Sequence, residues 1–269
     1  MAINTEKNSY TILFAVVMVM VVGSLLAFTA SSLKPKIKEN ERMEKQQNIL
    51  YAMGINGNEG KGDIVFISTD KVSDAFETYV SEQLVLEYKD GEIINQLTSE
   101  EFMTSDDEGK GIAPYLIDVK KQQTRAKQGK SRFLPLFVGN QDGETVYVAP
   151  IRGKGLWDAI WGYIALDENM VIKGTFFDHA AETPGLGSNI KQRYFMDDFK
   201  GEKLLDEDGV FKGVAVKKGN NDPSNETKDD HAVDALAGAT ITGDGVSAMI
   251  KKDLKLYKPF FQNLKSKTN

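Results

Sequence analysis

The strongest constraint on this chain lies near its N-terminus, where no charged residue occurs between Lys7 and Lys34. The apolar part of this stretch, Tyr10–Leu33, is 24 residues long and rich in Val, Leu, Met, Phe and Ala. As a helix rising ~1.5 Å per residue it would measure roughly 36 Å, enough to cross a hydrocarbon core of ~30 Å with some tilt. We therefore predict a transmembrane helix over residues 10–33.

A cleaved signal peptide is the alternative interpretation of this segment. Its apolar region is usually about 7–15 residues long and ends in a small-x-small cleavage site. The run in this chain is longer, is preceded by few basic residues, and contains only Ala27-Phe28-Thr29-Ala30 as a poor cleavage sequence. A retained single-span anchor is favoured.

The charges after the span do not decide which side of the membrane carries the rest of the chain. Basic residues follow it at Lys34, Lys36, Lys38 and Arg42. The positive-inside rule would therefore put the body in the cytoplasm. Three glutamates lie among these residues and the rule has exceptions, so charge alone leaves the side open.

Composition excludes several kinds of chemistry. The 269 residues contain no cysteine, which rules out disulfides, iron–sulfur clusters and thiol nucleophiles. Only two histidines are present, His179 and His231, so a three-histidine metal site is impossible. The net charge is −6, with the acidic excess after Lys45, which argues against nucleic-acid binding. Any redox chemistry must use an organic cofactor.

The hydropathy pattern predicts an α+β fold after the anchor, with an antiparallel sheet and packed helices. A polar juxtamembrane helix over 34–53 precedes a globular region over 54–269. The predicted strands are 64–67, 133–138, 144–151, 159–166, 171–177 and 210–216, and the predicted helices are 75–86 and 243–264. Residues 104–132 are predicted to be a surface connection.

Three glycine-rich segments could carry chemistry. The first, Gly153-Lys154-Gly155-Leu156-Trp157-Asp158, offers close backbone approach, a cation and an indole ring; it could equally be an ordinary turn. The second, Glu182-Thr183-Pro184-Gly185-Leu186-Gly187, could present N–H groups to a phosphate or a ring carbonyl, or form a capped Pro-Gly turn.

The third segment is Asp234-Ala235-Leu236-Ala237-Gly238-Ala239-Thr240-Ile241-Thr242-Gly243, directly before the last predicted helix. Small residues followed by threonines at a helix N-terminus suit a phosphate group. Ordinary capping by Thr242 or Asp244 is the simpler interpretation of the residues alone. His179, beside Asp178, is interpreted as a solvated loop histidine, because no nucleophile elbow accompanies it.

Taken together, the anchor and the three segments in this order resemble the C subunit (NqrC) of the Na+-translocating NADH:quinone oxidoreductase. The resemblance is strongest over residues 150–255, the expected flavin core. It implies an electron-carrying subunit without independent turnover, in which one FMN is joined through a phosphoester to Thr240. The attachment would be made by a separate flavin transferase that recognises Asp-x-x-(Ser/Thr)-Gly-Ala-Thr; Ala237 stands here where Ser is usual.

The resemblance also implies a site and a location. The expected FMN contacts, besides Thr240, are Lys154, Leu156, Trp157, Glu182, Thr183, Gly185, Leu186, Gly187, Gly238, Ala239 and Thr242. No metal site and no catalytic residue are expected. The body would lie on the periplasmic side of the bacterial inner membrane, residues 1–9 would be a cytoplasmic stub, and the partners would be the other subunits, the transferase and membrane lipid.

Two other functions stay open from the sequence. The G subunit of the related Rnf-type ferredoxin:NAD oxidoreductase shares the threonine motif. A membrane-anchored binding or sensor domain without a cofactor belongs to a different class. The segment 153–158 and the long insert before residue 130 favour the quinone reductase subunit over the first of these.

Overall fold

The structure is a computed structural model that describes residues 7–60, 62–141, 143–219, 222 and 225–268. The chain divides into two compact units, Met1–Glu44 and Lys45–Asn269. Helix α1, Asn8–Ala52, begins in the first unit and ends in the second. The first six residues of the predicted stub lie outside the described residues.

The N-terminal part of α1 has the properties predicted for an anchor. Its most apolar 18-residue window has a mean hydropathy of 2.7, and none of that window is buried. Among the described residues it is the one helix long and apolar enough to cross a membrane. These properties fit a single-pass anchor.

The second unit is built on a six-stranded antiparallel sheet with the order β2-β1-β3-β4-β5-β6. The strands are β1 Val80–Lys89, β2 Glu92–Thr98, β3 Arg132–Gln141, β4 Glu144–Lys154, β5 Ala159–Leu166 and β6 Ile172–His179. A short parallel pair, β7 Ala215–Lys217 and β8 Ala232–Asp234, forms a second sheet. The α+β fold with an antiparallel sheet is confirmed.

Helices precede, connect and follow the strands of the second unit. They are α2 Val72–Tyr79, α3 Ser99–Thr104, α4 Val119–Lys127, α5 Arg193–Asp197, α6 Thr240–Met249 and α7 Lys258–Thr268. A π-helical turn, Ile250–Leu254, and a 3-10 turn, Lys255–Tyr257, connect α6 to α7. Helix α6 packs on β4. In the 3-10 turn, the buried Tyr257 donates a 3.0 Å hydrogen bond from its hydroxyl to the Pro135 carbonyl.

Two hairpins of the large sheet follow from local turn chemistry. In the β3–β4 turn, Gly143 has φ +88° and donates its N–H to Oδ1 of Asn140 at 2.9 Å; Asp142 lies outside the described residues. In the β5–β6 turn, Oδ1 of Asp167 accepts from the N–H groups of Asn169 at 2.8 Å and Val171 at 2.9 Å. Asx hydrogen bonds and a left-handed glycine are the devices that such turns require. These turns place β3 beside β4 and β5 beside β6.

Several predicted elements differ from the structure. The helix over 75–86 is wrong beyond Tyr79, because Val80–Lys89 is strand β1, paired on both sides by β2 and β3. Residues 64–67 are irregular, and of the strand over 210–216 only the end is extended, as β7. The connection over 104–132 contains α4 and a 3-10 turn. The helix predicted over 243–264 begins three residues earlier, at Thr240, and is divided into α6 and α7 by the π-helical and 3-10 turns.

Candidate functional site

The three glycine-rich segments meet around one buried carboxylate, that of Glu182. A Cβ on Gly155 would lie 2.5 Å from Oε1 of Glu182. A Cβ on Gly187 would lie 2.6 Å from Oε2 of Glu182 and 2.5 Å from Oγ1 of Thr242. Any larger residue at either position would collide with these atoms. The three segments, 153–158, 182–187 and 234–243, are therefore brought together, and glycine is required at two of the contact points.

Glu182 is stabilised as a carboxylate in this position. Its Oε1 accepts the N–H of Trp157 at 2.9 Å, and its Oε2 accepts the hydroxyl of Thr242 at 2.5 Å. Burial alone raises the pKa of Glu182, but the hydrogen bonds from Thr242 and from the N–H groups of Trp157, Leu156 and Asp158 outweigh it and lower the pKa below its ordinary value. The group is thus ionised at neutral pH.

Large apolar side chains are exposed on the same three segments. The exposed fractions are 45% for Leu156, 65% for Trp157, 41% for Leu186 and 56% for Ile241, and we call these four residues the apolar patch. The indole N–H of Trp157 donates a 3.0 Å hydrogen bond to Oγ1 of Thr183, which joins the first segment to the second. An exposed group of large apolar side chains is typical of a binding surface.

Thr240 and Thr242 have opposite environments at the start of α6. Thr240 is the first helical residue and is exposed, and its hydroxyl has no hydrogen-bond partner among the described residues. Thr242 is buried and its hydroxyl is bound to Glu182. The N-cap residue, Ala239, supplies no side-chain acceptor. Because the first N–H groups of a helix lack intrahelical acceptors, this end of α6 can bind an anion beside the Thr240 hydroxyl.

The loop before α6 is held against the second segment. Gly238 has φ +71°, and a Cβ there would lie 2.8 Å from Cδ2 of Leu186. The loop is entered from β8, where the Ala235 N–H donates to the Lys217 carbonyl at 2.9 Å. Both ends of the loop are thereby fixed, which determines where Thr240 lies.

The other end of α6 is fixed to β4. A Cβ on Gly153 would lie 2.9 Å from Cβ of Met249 and 3.2 Å from the Gly245 carbonyl oxygen, so helix and strand pack backbone to backbone. In the π-helical turn, the buried carboxylate of Asp253 accepts the Arg152 N–H at 2.9 Å. The same carboxylate lies 3.6 Å from Nη2 of Arg132. Burial raises the pKa of Asp253, against the opposing effects of Arg152 and Arg132.

Lys154 is the predicted cation of the first segment. It is the last residue of β4, its side chain is exposed, and it forms no ion pair with any described residue. Its ammonium group is therefore available to bind an anion.

Sequence reasoning missed two residues of this site. Ile241 contributes the fourth side chain of the apolar patch, and the sequence shows there only an apolar residue between two threonines. His179 was interpreted as a solvated loop histidine, but it is the last residue of β6 and half-buried. Its Nδ1 accepts the Glu182 N–H at 3.1 Å, and its buried Nε2 has no partner among the described residues.

The residues present fit FMN. The exposed apolar patch, with an indole ring, can cover a planar aromatic ring. The uncapped start of α6 offers N–H groups to a phosphate, and Thr240 offers at the same place an exposed hydroxyl that has no partner in the described part of the chain. These features lie on the three segments that Glu182 joins.

Comparison with known proteins agrees with this fit. Residues 155–255 match the FMN-binding domain family. The C subunit of the Na(+)-translocating NADH-quinone reductase from Yersinia pestis is 29% identical over 249 residues, which is 90% of this chain and 87% of that protein. The protein of the same name from Pseudomonas aeruginosa is 29% identical over 252 residues, 92% of this chain and 91% of that protein.

Solved structures extend the likeness to the fold. The crystal structure of the same reductase's C subunit from Parabacteroides distasonis is 30% identical in sequence, with a TM-score of 0.66 over 85% of this chain and 96% of that one. The chain belongs to the NqrC family. A second family member, NqrC from Shewanella oneidensis, has a TM-score of 0.60 at 26% identity, over 84% of this chain and 99% of that one. The similarity to these C subunits extends well beyond residues 155–255, the part that matches the FMN-binding domain family.

Proposed function

We propose that this chain is the FMN-carrying C subunit of a membrane-bound Na+-translocating NADH:quinone oxidoreductase, with one FMN joined through a phosphoester to Oγ1 of Thr240. The family membership and the FMN-binding domain support the electron-carrying role. The observation that carries the attachment site is the contrast at the start of α6. Thr240 has an exposed, unpaired hydroxyl among the described residues, whereas Thr242 is buried and bound to Glu182.

The chain's own residues would then bind and orient the cofactor. FMN supplies the redox chemistry, accepting and releasing electrons between partner subunits. The first N–H groups of α6 hold the phosphate, and the helix dipole favours its negative charge by roughly 0.3–1 kcal/mol. The apolar patch covers the ring, Thr183 and the backbone of residues 185–187 give it polar contacts, and Lys154 meets an anionic group. A covalent link removes the dissociation equilibrium of the cofactor.

The attachment requires a separate flavin transferase. Forming the Oγ1–phosphorus bond needs an activated FMN with a leaving group on its phosphate and a base to take the hydroxyl proton. No such machinery is needed in this chain if the hydroxyl is accessible. Gly238 has no side chain and Ala239 only a methyl group, and Ala237 and Gly238 are exposed, which leaves room for the transferase before Thr240.

The chain would act as a single-pass protein of the bacterial inner membrane. Helix α1 supplies the anchor and contacts lipid, residues 1–9 stay in the cytoplasm, and the body faces the periplasm, where it meets the other subunits of the complex. The orientation is taken from the family, against the basic residues that follow the span.

The alternative functions are less well supported. A sensor domain without cofactor does not explain the FMN-binding domain, and the similar proteins above carry the name of the quinone reductase subunit and not of the Rnf-type one.

The proposal is tested by expressing the chain together with the transferase and recording in-gel flavin fluorescence after denaturing electrophoresis. The wild-type chain and Thr242→Val are expected to fluoresce, and Thr240→Val is expected to be dark while its far-ultraviolet circular dichroism stays that of the wild type. A dark wild-type chain, in the presence of a transferase that labels another substrate, would rule out the attachment.

A further inference from the structure

Glu182 is a buried ionisable group hydrogen-bonded to Trp157 and Thr242, two of the expected flavin contacts, and the attachment chemistry does not use it. Its carboxylate is 4% exposed and accepts hydrogen bonds from two segments on either side of it, at Trp157 and at Thr242. Its own backbone N–H is bound by His179. The residue thus connects β6, the turn after β4 and the first turn of α6.

The hydrogen bonds of Glu182 hold members of the apolar patch in place. One goes to the backbone N–H of Trp157, and another to Thr242, which directly follows Ile241. Close packing of Gly155 and Gly187 on the two carboxylate oxygens leaves no room for the side chain to turn away. The carboxylate is therefore a fixed support under the surface that the ring would cover.

The charge of this carboxylate has a consequence for a redox cofactor. Each electron added to a flavin adds negative charge, and a fixed negative charge nearby opposes that addition. Bulk water screens an exposed carboxylate, but it screens a buried one much less. A neutral side chain of the same shape would remove this opposition.

We infer that Glu182 is a positioning residue for the flavin, which fixes the apolar patch by its hydrogen bonds and lowers the flavin's reduction potential by its negative charge. The inference rests on the proposed function, since it concerns a flavin attached at Thr240. It goes beyond that function by assigning to one buried side chain the control of the potential at which electrons pass through this protein.

The decisive variant is Glu182→Gln, which keeps the shape and removes the charge. Its Oε1 can still accept the Trp157 N–H, and its Nε2 can donate to the Thr242 hydroxyl, which is able to reverse its role. The matched control is Asp158→Asn. Asp158 lies in the same turn as Trp157 but is exposed, so its charge is screened.

The measurement is a spectroelectrochemical titration of the detergent-solubilised full chain carrying FMN, with visible circular dichroism as a readout of ring orientation. Glu182→Gln is expected to raise the reduction potential, and Asp158→Asn to shift it by less than half as much. An unchanged or lowered potential in Glu182→Gln, or an equal shift in the control, would overturn the inference.

A second variant decides the matter if Glu182→Gln does not fold or is not labelled. Thr242→Val removes the hydroxyl that compensates the carboxylate, and a titration at pH 8 favours the charged form of Glu182, so the potential is expected to fall. A rise or no change would contradict the inference. An unlabelled wild-type chain would instead mean that the proposed function is wrong, whereas a labelled wild type with unresponsive potentials would reject only the role of Glu182.

Discussion

The hydroxyl of Thr242 donates a 2.5 Å hydrogen bond to Oε2 of Glu182, joining residues that are 60 positions apart in sequence. This bond ties the first turn of α6 to the loop after β6. It also uses and buries one of the two threonine hydroxyls at the helix start. Thr240 is left as the accessible one.

The bond predicts a stability difference between the two threonines. Thr242→Val is expected to lower the free energy of unfolding by about 1.5–3 kcal/mol, because it removes a hydrogen bond to a buried charged group. Thr240→Val is expected to change it by less than about 0.5 kcal/mol, because that side chain is exposed. Urea unfolding of the chain without FMN, shortened to begin at Lys36, measures both. Equal losses in the two variants would show that the hydrogen bond does not stabilise the fold.

Trp157 is predicted to matter for the cofactor and not for the fold. Trp157→Ala is expected to leave the unfolding free energy of the FMN-free chain within about 0.5 kcal/mol of the wild type, because the side chain is 65% exposed. The extra stability that FMN confers should fall by about 1 kcal/mol, the usual value of an aromatic contact beyond area burial. Urea unfolding with and without FMN gives both numbers.

The control for Trp157 is Tyr194→Ala. Tyr194 is an exposed aromatic residue of α5 that belongs to none of the three segments. Its removal should leave the effect of FMN on stability unchanged. A loss as large as that of Trp157→Ala would mean that the apolar patch does not cover the ring.

Glu202 predicts a dependence of stability on pH. The side chain is fully buried, Asn225 donates to its Oε1 at 3.2 Å, and the Lys228 ammonium lies 3.6 Å from the same oxygen. Burial raises the pKa of Glu202 to about 7, against the opposing effects of Lys228 and Asn225 and with a smaller contribution from Asp230. Oε2 of Glu202 and Oδ1 of Asn225 have no partner among the described residues. A proton on Oε2 would remove the buried charge of Glu202 and turn this unpaired atom into a hydrogen-bond donor.

A raised pKa means that the folded chain binds the proton more tightly than the unfolded chain. The contribution of Glu202 to stability is therefore fully present below pH ~4.5 and is lost as the pH rises to about 7, by up to about 3 kcal/mol. Glu202→Gln supplies a permanent N–H donor and should remove this slope, which makes the variant more stable than the wild type at pH 8. Urea midpoints at pH 5 and pH 8 test this. The exposed Glu207→Gln is the control, and a wild-type slope retained in Glu202→Gln would contradict the assignment.

The anchor predicts how the chain behaves in extraction. The full chain is expected to require detergent, because the apolar side chains of residues 10–33 are exposed and are poorly soluble in water. The chain shortened to begin at Lys36 is expected to be soluble, since the unit from Lys45 onwards has its own core. Native protein whose N-terminus is trimmed near Ala30 would instead indicate a signal peptide.

The side of the membrane is tested separately by reporters fused after Asn269. An enzyme reporter that works only in the periplasm is expected to be active, and a reporter that works only in the cytoplasm to be inactive. The reverse result would uphold the positive-inside count given by the lysines after the span.

The sequence predicted the parts of the fold that local patterns determine. The anchor and the strands β3 to β6 follow from uncharged length, alternation and turn residues. Strand β1 was missed because the consecutive apolar residues 84–86 interrupt the alternation that is typical of a strand. Its conformation is decided by pairing with β3, more than forty residues later. Helix α4 was missed because it is strongly polar and contributes mainly Gln122 to the core.

The site was predicted in part for the same reason. Its glycines and threonines form short motifs that sequence alone displays and that a family resemblance connects. The meeting of these motifs at Glu182 is a tertiary relationship, and neither the burial of Thr242 nor the exposure of Ile241 can be read from residue spacing. The role of His179 likewise depends on a contact with Glu182 that forms only in the folded loop.

The attachment of FMN to Thr240 is the central claim, and peptide mapping tests it most directly. Trypsin is expected to release residues 229–251 as one peptide, which contains both Thr240 and Thr242. Fragmentation of this peptide from chain expressed with the transferase should place the added mass of FMN, less one water, on Thr240 in every labelled molecule. The same mass on Thr242, or an unmodified peptide despite an active transferase, would contradict the account.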